Sequence, residues 1–532
     1  MDNNRTILAV VLVVLLWSGY SLFFAPQPQV RQVVPAEEAT QTVQEKPEKA
    51  KIKTVTDISL ADIVDDVNVE ESFLTVSSDY YNIKISSIGA SVRSIVLKNY
   101  RETNDSDSEI FTLLDADNFD LSTLKTSGSE GLYLPANLNY NALDSRNTIE
   151  LNNEAVTVSF VASINDLTII KNYTFYPTSY SFDLSVQLIN NSDKSVNGRL
   201  NLSLVTPWDQ DNKKQMYTFV GPVTFNGEGL EEDKPDGLAE SPKIYKNNIV
   251  WSGYASKYFL SAVNPQDSTE QLFISAGSGF VENKFTSTQI NLLKDQKTSF
   301  DYSSYFGPKQ DEFLVASGHQ FEEAIDYGFF HPLSKPLMVV LKFFYGYIGN
   351  FGFSIILLTI CIKMIFWPLT QKSYKSMKGM QKLQPEMKKM REKHGKDKQK
   401  LNQEMMSFYK ENKVNPLGGC LPMLIQIPVF FALYRVLLGS IELRHAPFML
   451  WITDLSAKDP YYVTPLIMGV TMFLQQKMTP TNMDPTQEKI MLMMPVVFTF
   501  MFLNFPSGLV LYWLTNNLLT ILQQYLIRRQ PD

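Results

Sequence analysis

Lys363 stands in an otherwise apolar run, Ile355-Ile356-Leu357-Leu358-Thr359-Ile360-Cys361-Ile362-Lys363-Met364-Ile365-Phe366-Trp367. A lysine in the middle of a bilayer costs roughly 2.5–3.5 kcal/mol on insertion scales, so such residues are few and usually functional. Its chemistry is that of a fixed cation that attracts carboxylates and phosphates. Thr359 precedes it by four residues and shares its helix face. Gln426, Thr471, Gln475, Thr515, Asn516 and Asn517 are further polar residues within apolar segments, where Asn and Gln often bridge neighbouring helices. No Asp or Glu lies in those segments to neutralise Lys363, and the set outlines a water-containing cavity between helices. Snorkelling is the other reading: Lys363 is seven residues, about 10 Å, from Thr370 at the end of the run, and a lysine stem recovers part of that distance.

Other chemistries find little support. The two cysteines, Cys361 and Cys420, both fall in apolar runs. With His319, His331, His394 and His445 scattered, they do not make an ordinary zinc site. A Gly-x4-Gly-Lys-Ser/Thr phosphate loop is absent from the sequence. No cofactor and no enzymatic reaction is expected, and nothing points to a specific nucleic acid.

The elements that position Lys363 follow from a split in composition. Residues 25–335 hold 25 Lys/Arg and 43 Asp/Glu, a net of −18; the rest holds 23 and 12, a net of +11. Ile7 to Phe24 is an 18-residue, mostly apolar run ending in bulky residues, which predicts an uncleaved anchor over 1–25. Residues 26–56 read as a flexible linker. Period-two alternation, as in Tyr180, Phe182, Leu184, Val186 and Leu188 and again in Leu200, Leu202 and Leu204, predicts an antiparallel β-sandwich domain over 57–333. Leu337, Val340, Leu341 and Phe344 fall at helical spacing beside Lys335 and Lys342, predicting an amphipathic interface helix over 334–346. A membrane core follows over 347–532, with spans near 348–370, 419–439, 462–478, 490–505 and 508–527. The fold class is thus a multidomain membrane protein with six transmembrane helices, five forming the core, and an extracytoplasmic β-domain.

Charge sets the orientation. The segment Gln371 to Leu417 holds 13 Lys/Arg against 5 Asp/Glu and is expected in the cytoplasm, with both termini. Pro385 suits a helix start and Gly395 a helix end, so a helical hairpin is predicted over 373–417. Its basic residues Lys388, Lys389, Arg391, Lys393, Lys396 and Lys398 suit either anionic lipid or docking of ribosomes and targeting factors.

Several segments of the membrane half resemble the YidC/Oxa/Alb insertase family, of the Gram-negative YidC type. They are Gly352-Phe353-Ser354-Ile355-Ile356, Trp367-Pro368-Leu369-Thr370, Lys413-Val414-Asn415-Pro416-Leu417-Gly418-Gly419-Cys420-Leu421-Pro422, Asp459-Pro460-Tyr461-Tyr462, Met468-Gly469-Val470-Thr471-Met472-Phe473 and Phe505-Pro506-Ser507-Gly508-Leu509-Val510-Leu511-Tyr512. The resemblance implies an inner-membrane insertase and chaperone with a positively charged groove open to cytoplasm and lipid. It implies a periplasmic supersandwich, nascent membrane proteins as clients, and SecYEG, SecDF, the ribosome and signal-recognition machinery as partners. It assigns the groove cation to Lys363, where many members have arginine, and substrate contact to Thr359 and Tyr512; Trp513 is grouped with the groove. Lysine keeps the charge but lacks the planar bidentate fork. The tail Arg528-Arg529-Gln530-Pro531-Asp532 lacks the long basic extension of some relatives. Two rival functions remain open: a small-anion transporter built on Lys363, for which no pair of repeated halves is visible, and a translocon-associated structural chaperone without insertase activity.

Overall fold

Alternating apolar and polar residues build the first, larger part of the molecule. The structure, a computed structural model, describes residues 70–529 except 106, 209–217, 247, 267–268, 395–397, 413–420 and 480–484. The predicted anchor and linker lie outside the described residues. Between Phe73 and Pro308 the described residues form three sheets, of five, nine and six strands. In the strand Ser181–Asn190, Phe182, Leu184, Val186 and Leu188 are buried and the residues between them are only half-buried, as the two-residue period requires. That strand lies at the heart of the nine-stranded sheet, antiparallel to Leu167–Phe175 on one side and Lys297–Pro308 on the other. Asn190 ends it: its Oδ1 accepts from the Ser192 amide at 3.0 Å, closing the turn expected there.

The domain is not wholly antiparallel. Thr75–Ser77 pairs parallel with Thr148–Glu150, a long-range pairing that no local turn could announce. Two short helices interrupt the sheets' surroundings, α1 (Pro235–Glu240) and α2 (Asp311–Ser317). The three sheets share one apolar core, from Leu74 to Phe321.

After a linking segment come eight α-helices among the described residues. α3 covers His331–Ile348, longer than the predicted 334–346 because Pro332 in the first turn needs no amide partner and Gly349, at φ 70°, closes the far end. α3 is two-faced: Ser334, Met338 and Leu341 are buried, whereas Val339, Phe343 and Tyr347 form an exposed apolar stripe. α4 (Phe351–Lys382) runs unbroken beyond the predicted span end at 370 and into the predicted hairpin. α5 (Gln384–His394) and α6 (Lys398–Glu411) form the two arms of that hairpin, with Pro385 in the first turn of α5. α7 (Leu421–Gly439), α8 (Val463–Met478), α9 (Pro485–Phe502) and α10 (Ser507–Arg529) complete the bundle. Among the described residues, the segment Phe351–Met380 is long and apolar enough to cross a membrane; Gln426–Gly439 and Met491–Phe502 are shorter apolar helices.

α10 packs against α4 and α8, α8 against α9, and α3 against α4 and α7. Inside the bundle, polar side chains are buried beside an apolar core that includes Leu433, Val436 and Leu509, and apolar side chains cover its outside. Asn517 is 2% exposed and Gln523 1%, while Val470 is 60% and Phe500 69% exposed. Water would penalise so much exposed apolar surface, and hydrocarbon would not.

Candidate functional site

α4 presents Lys363 toward α10. The half-buried ammonium donates to Thr520 Oγ1 at 2.8 Å. Thr520 in turn donates to the Asn516 carbonyl at 2.7 Å, so its one proton is committed. Among the described residues, no carboxylate pairs with Lys363. The amine thus faces into the bundle at this contact, held by a neutral group.

Thr520 belongs to a line of buried polar side chains on one face of α10. Tyr512, Asn516, Thr520 and Gln524 recur every four residues, with Gln523 beside them. Gln524 Nε2 donates to Tyr374 Oη at 2.8 Å and to Thr479 Oγ1 at 3.0 Å, joining α10 to α4 and to the end of α8. Gln523 Nε2 and Gln524 Oε1 are buried without a protein partner among the described residues. A buried orphan of this kind costs about 1–3 kcal/mol, so the stripe suits contact with another polar group.

The predicted residues divide accordingly. Thr359 is buried beneath Lys363 on the same face, but its hydroxyl is committed to the Ile355 carbonyl at 2.7 Å. Asn516 lies beside the Lys363 contact. Asn517 reaches across to Thr471 Oγ1 at 3.4 Å, and Thr471 donates to the Met468 carbonyl at 2.7 Å; this pair bridges α10 and α8. Tyr512 is buried, with its hydroxyl toward half-buried Gln426 on α7. Gln475 is half-buried, and its carbonyl accepts from Thr479. Thr515 is buried. Trp513 sits in an aromatic cluster instead, 4.7 Å from Phe430 edge-on and 5.2 Å from Phe502 by ring centroids. Its contacts are those of a packing residue between α7, α9 and α10.

Sequence reasoning missed Thr520, Gln523, Gln524 and Tyr374. The four-residue spacing from Asn516 was the available signal. Of the basic hairpin residues, Lys389 and Lys393 are exposed on α5. Lys388 and Arg391 also lie on α5 and Lys398 opens α6, with side chains outside the described set, as is Lys396.

This arrangement can attract and hydrate an anionic or polar group inside an apolar shell; it holds no nucleophile paired with a base. A family model described as a 60Kd inner membrane protein matches residues 343–532, and one described as a YidC periplasmic domain matches residues 74–340. The chain is 43% identical to a membrane protein insertase YidC of Geotalea daltonii, over 99% of both chains. It is 44% identical to the one of Geobacter metallireducens, over 99% of this chain and 98% of the relative. A crystal structure of an active YidC insertase, with its first transmembrane domain resolved, matches at TM-score 0.38 and 17% identity, over 87% of this chain and 94% of its own.

Proposed function

This chain belongs to the YidC family of membrane protein insertases, and from that premise we propose that it inserts nascent membrane proteins into the inner membrane through a hydrated groove centred on Lys363. The observation that carries the reading is the inward-facing ammonium on α4, held by a hydroxyl and aligned with the buried polar stripe of α10.

The mechanism is physical, and no bond is made or broken. A client brings a polar, often acidic segment joined to an apolar helix. Each backbone or side-chain polar group stripped bare in hydrocarbon costs several kcal/mol. The stripe of Asn516, Thr520, Gln523 and Gln524 replaces part of the lost hydration, and Lys363 attracts the client's carboxylates. The apolar helix then leaves along α7 and α9, whose outward faces carry Phe431, Val497 and Phe500, and burial in lipid drives that step. α8, with 16 residues, spans about 24 Å, less than the roughly 30 Å hydrocarbon core, so a thinner bilayer would shorten the path.

The topology that goes with this reading has six spans, both termini and the α5–α6 hairpin in the cytoplasm, and the β-domain in the periplasm. α3 then lies on the outer surface, its Val339–Phe343–Tyr347 stripe against lipid. The hairpin receives clients from ribosomes and signal-recognition machinery, and the protein works alone or beside SecYEG and SecDF.

Reconstitution tests the proposal. Purified protein in sealed vesicles is given a small client with an acidic segment to be translocated, and protease protection is scored. Protected fragments well above those of empty vesicles are expected. No excess over empty vesicles would reject the insertase reading, and anion flux through the same vesicles would favour a transporter.

A further inference from the structure

A cavity of about 730 Å³ lies where the β-domain meets α3 and α7, far in sequence from the Lys363 site. Charged residues of both signs line it, among them the cations Lys309 and Arg435 and the anions Glu232 and Asp326. These four are electrostatic neighbours, since Glu232 feels Asp326, Lys309 and Arg435, and Lys309 feels Glu232 and Asp326. Among the described residues, none of the four closes an ion pair within 4.0 Å, whereas nearby Lys342 does so with Glu442 at 2.7 Å. Among the described residues, Asp326 accepts from the amide of Gly328, at 2.6 Å. These four charges, of both signs, thus line a shared space without closing a contact ion pair among themselves. A zwitterion between them meets both signs at once; a simple anion or cation leaves one like-charged pair opposed to it.

The apolar wall narrows the kind of zwitterion. Phe431 and Arg435 line the cavity, and Ile427 lies one turn further along the same face of α7, beyond the lining. Ile427 and Phe431 are exposed, and Phe330 stacks on Phe431 with ring centroids 5.7 Å apart. An apolar track of about 12 Å therefore ends at a guanidinium, which prefers phosphate oxygens as partners. A chain of methylenes leading to a phosphate and then to an ammonium has the same order of chemistry.

We propose that this cavity binds the headgroup of an aminophospholipid of the outer leaflet, with phosphate at Arg435, ammonium toward Asp326 and Glu232, and one acyl chain along Ile427 and Phe431. The site would tie the β-domain to the membrane surface through a lipid. It rests on α7 crossing the bilayer with its Arg435 end outward, and not on the role of Lys363.

Native mass spectrometry of the full chain in mild detergent tests it, with phosphatidylethanolamine and phosphatidylglycerol of equal chain length as probes. The ethanolamine lipid is expected to be retained about fivefold or more over the glycerol lipid. Arg435→Gln is expected to lower ethanolamine-lipid retention about tenfold, and Arg435→Lys to keep most of it. Asp326→Asn combined with Glu232→Gln is expected to erase the preference between the two lipids while keeping retention itself. Equal retention of both lipids by the parent chain, or no change in Arg435→Gln, overturns the proposal. Lys363→Ala is expected to retain the lipid while losing insertion, so failure of this site and failure of the insertase reading are separable.

Discussion

Thr520 accepts a hydrogen bond from Lys363 and neutralises none of its charge, which leaves the cation's attraction available to a passing carboxylate. An acidic residue in its place would consume that attraction internally. Lys363→Arg should therefore retain most insertion, while Lys363→Ala and Lys363→Glu should impair clients with acidic segments most; equal activity of all three in the vesicle assay would refute a charge role. Thr520→Asp is the sharper case. It keeps the lysine and should still depress insertion of acidic clients as Lys363→Ala does, because a paired ammonium attracts little. Normal insertion by Thr520→Asp would mean that Lys363 acts through something other than free charge. Lys363 stood out in the sequence because a charge in an apolar run is conspicuous. Thr520, 157 residues away, did not, because a threonine in a helix is commonplace until its partner is known.

The start of α8 is set by Asp459, which is fully buried. Its carboxylate accepts from the Thr464 amide and hydroxyl, both at 2.7 Å, from the Tyr461 amide at 2.9 Å and from Trp451 Nε1 at 3.1 Å. Burial pushes its pKa up, but these donors outweigh burial and hold it below the usual 3.8. Its stabilising contribution is thus complete at neutral pH and is lost only as pH falls through that depressed value. Asp459→Ala should cost roughly 2–3 kcal/mol, read as a lowered melting temperature of the purified chain; an unchanged melting curve would show that the cap is dispensable. The neighbouring contact is equally specific. A Cβ on Gly469 would collide with Thr499, so this glycine is what lets α8 and α9 approach. The Asp459-Pro460-Tyr461-Tyr462 and Met468-Gly469 segments were recognisable as motifs, but their causes, a buried cap and a close helix crossing, needed the fold.

The two halves of the molecule are joined by the segment between α7 and α8. Ile441 is buried in the β-domain core. Arg444 donates to the carbonyls of Arg101 at 2.5 Å and Glu102 at 3.2 Å, and lies over the ring of Phe111 at 5.3 Å. Asn104 adds a bond to the Thr453 carbonyl at 2.8 Å. Deleting most of residues 60–310 should leave insertion working, since Lys363 and the α10 stripe lie elsewhere, but should lower the melting temperature by exposing Ile441 and Arg444. Complete loss of insertion would instead give the β-domain a direct part. Within that domain Lys171 is fully buried, donating to the carbonyls of Gly89 at 3.0 Å and Leu124 at 2.8 Å. Burial lowers its pKa from 10.5 to about 7. Between those values the unfolded chain binds a proton that the folded chain does not, so this contribution to stability grows as pH rises from 7 to 10.5 and is lost as pH falls toward 7. The stability difference between the parent and Lys171→Met, measured by urea unfolding, should increase over that range. A flat difference would contradict it.

Composition and periodicity alone decided that an acidic β-rich domain precedes a basic, apolar helical half, and that Lys363 is a cation in an apolar helix, because alternation, hydropathy and charge are local properties of the chain. The sequence also carried the family, through short motifs in order. Only the tertiary structure decided what faces what. It aimed Lys363 at Thr520, aligned Gln523 and Gln524 with it, drew Trp513 into an aromatic cluster, paired Thr75 with Thr148 in parallel, and seated Ile441 in the β-core. These are contacts between residues distant along the chain, and no local pattern encodes which face of one helix or strand meets which face of another.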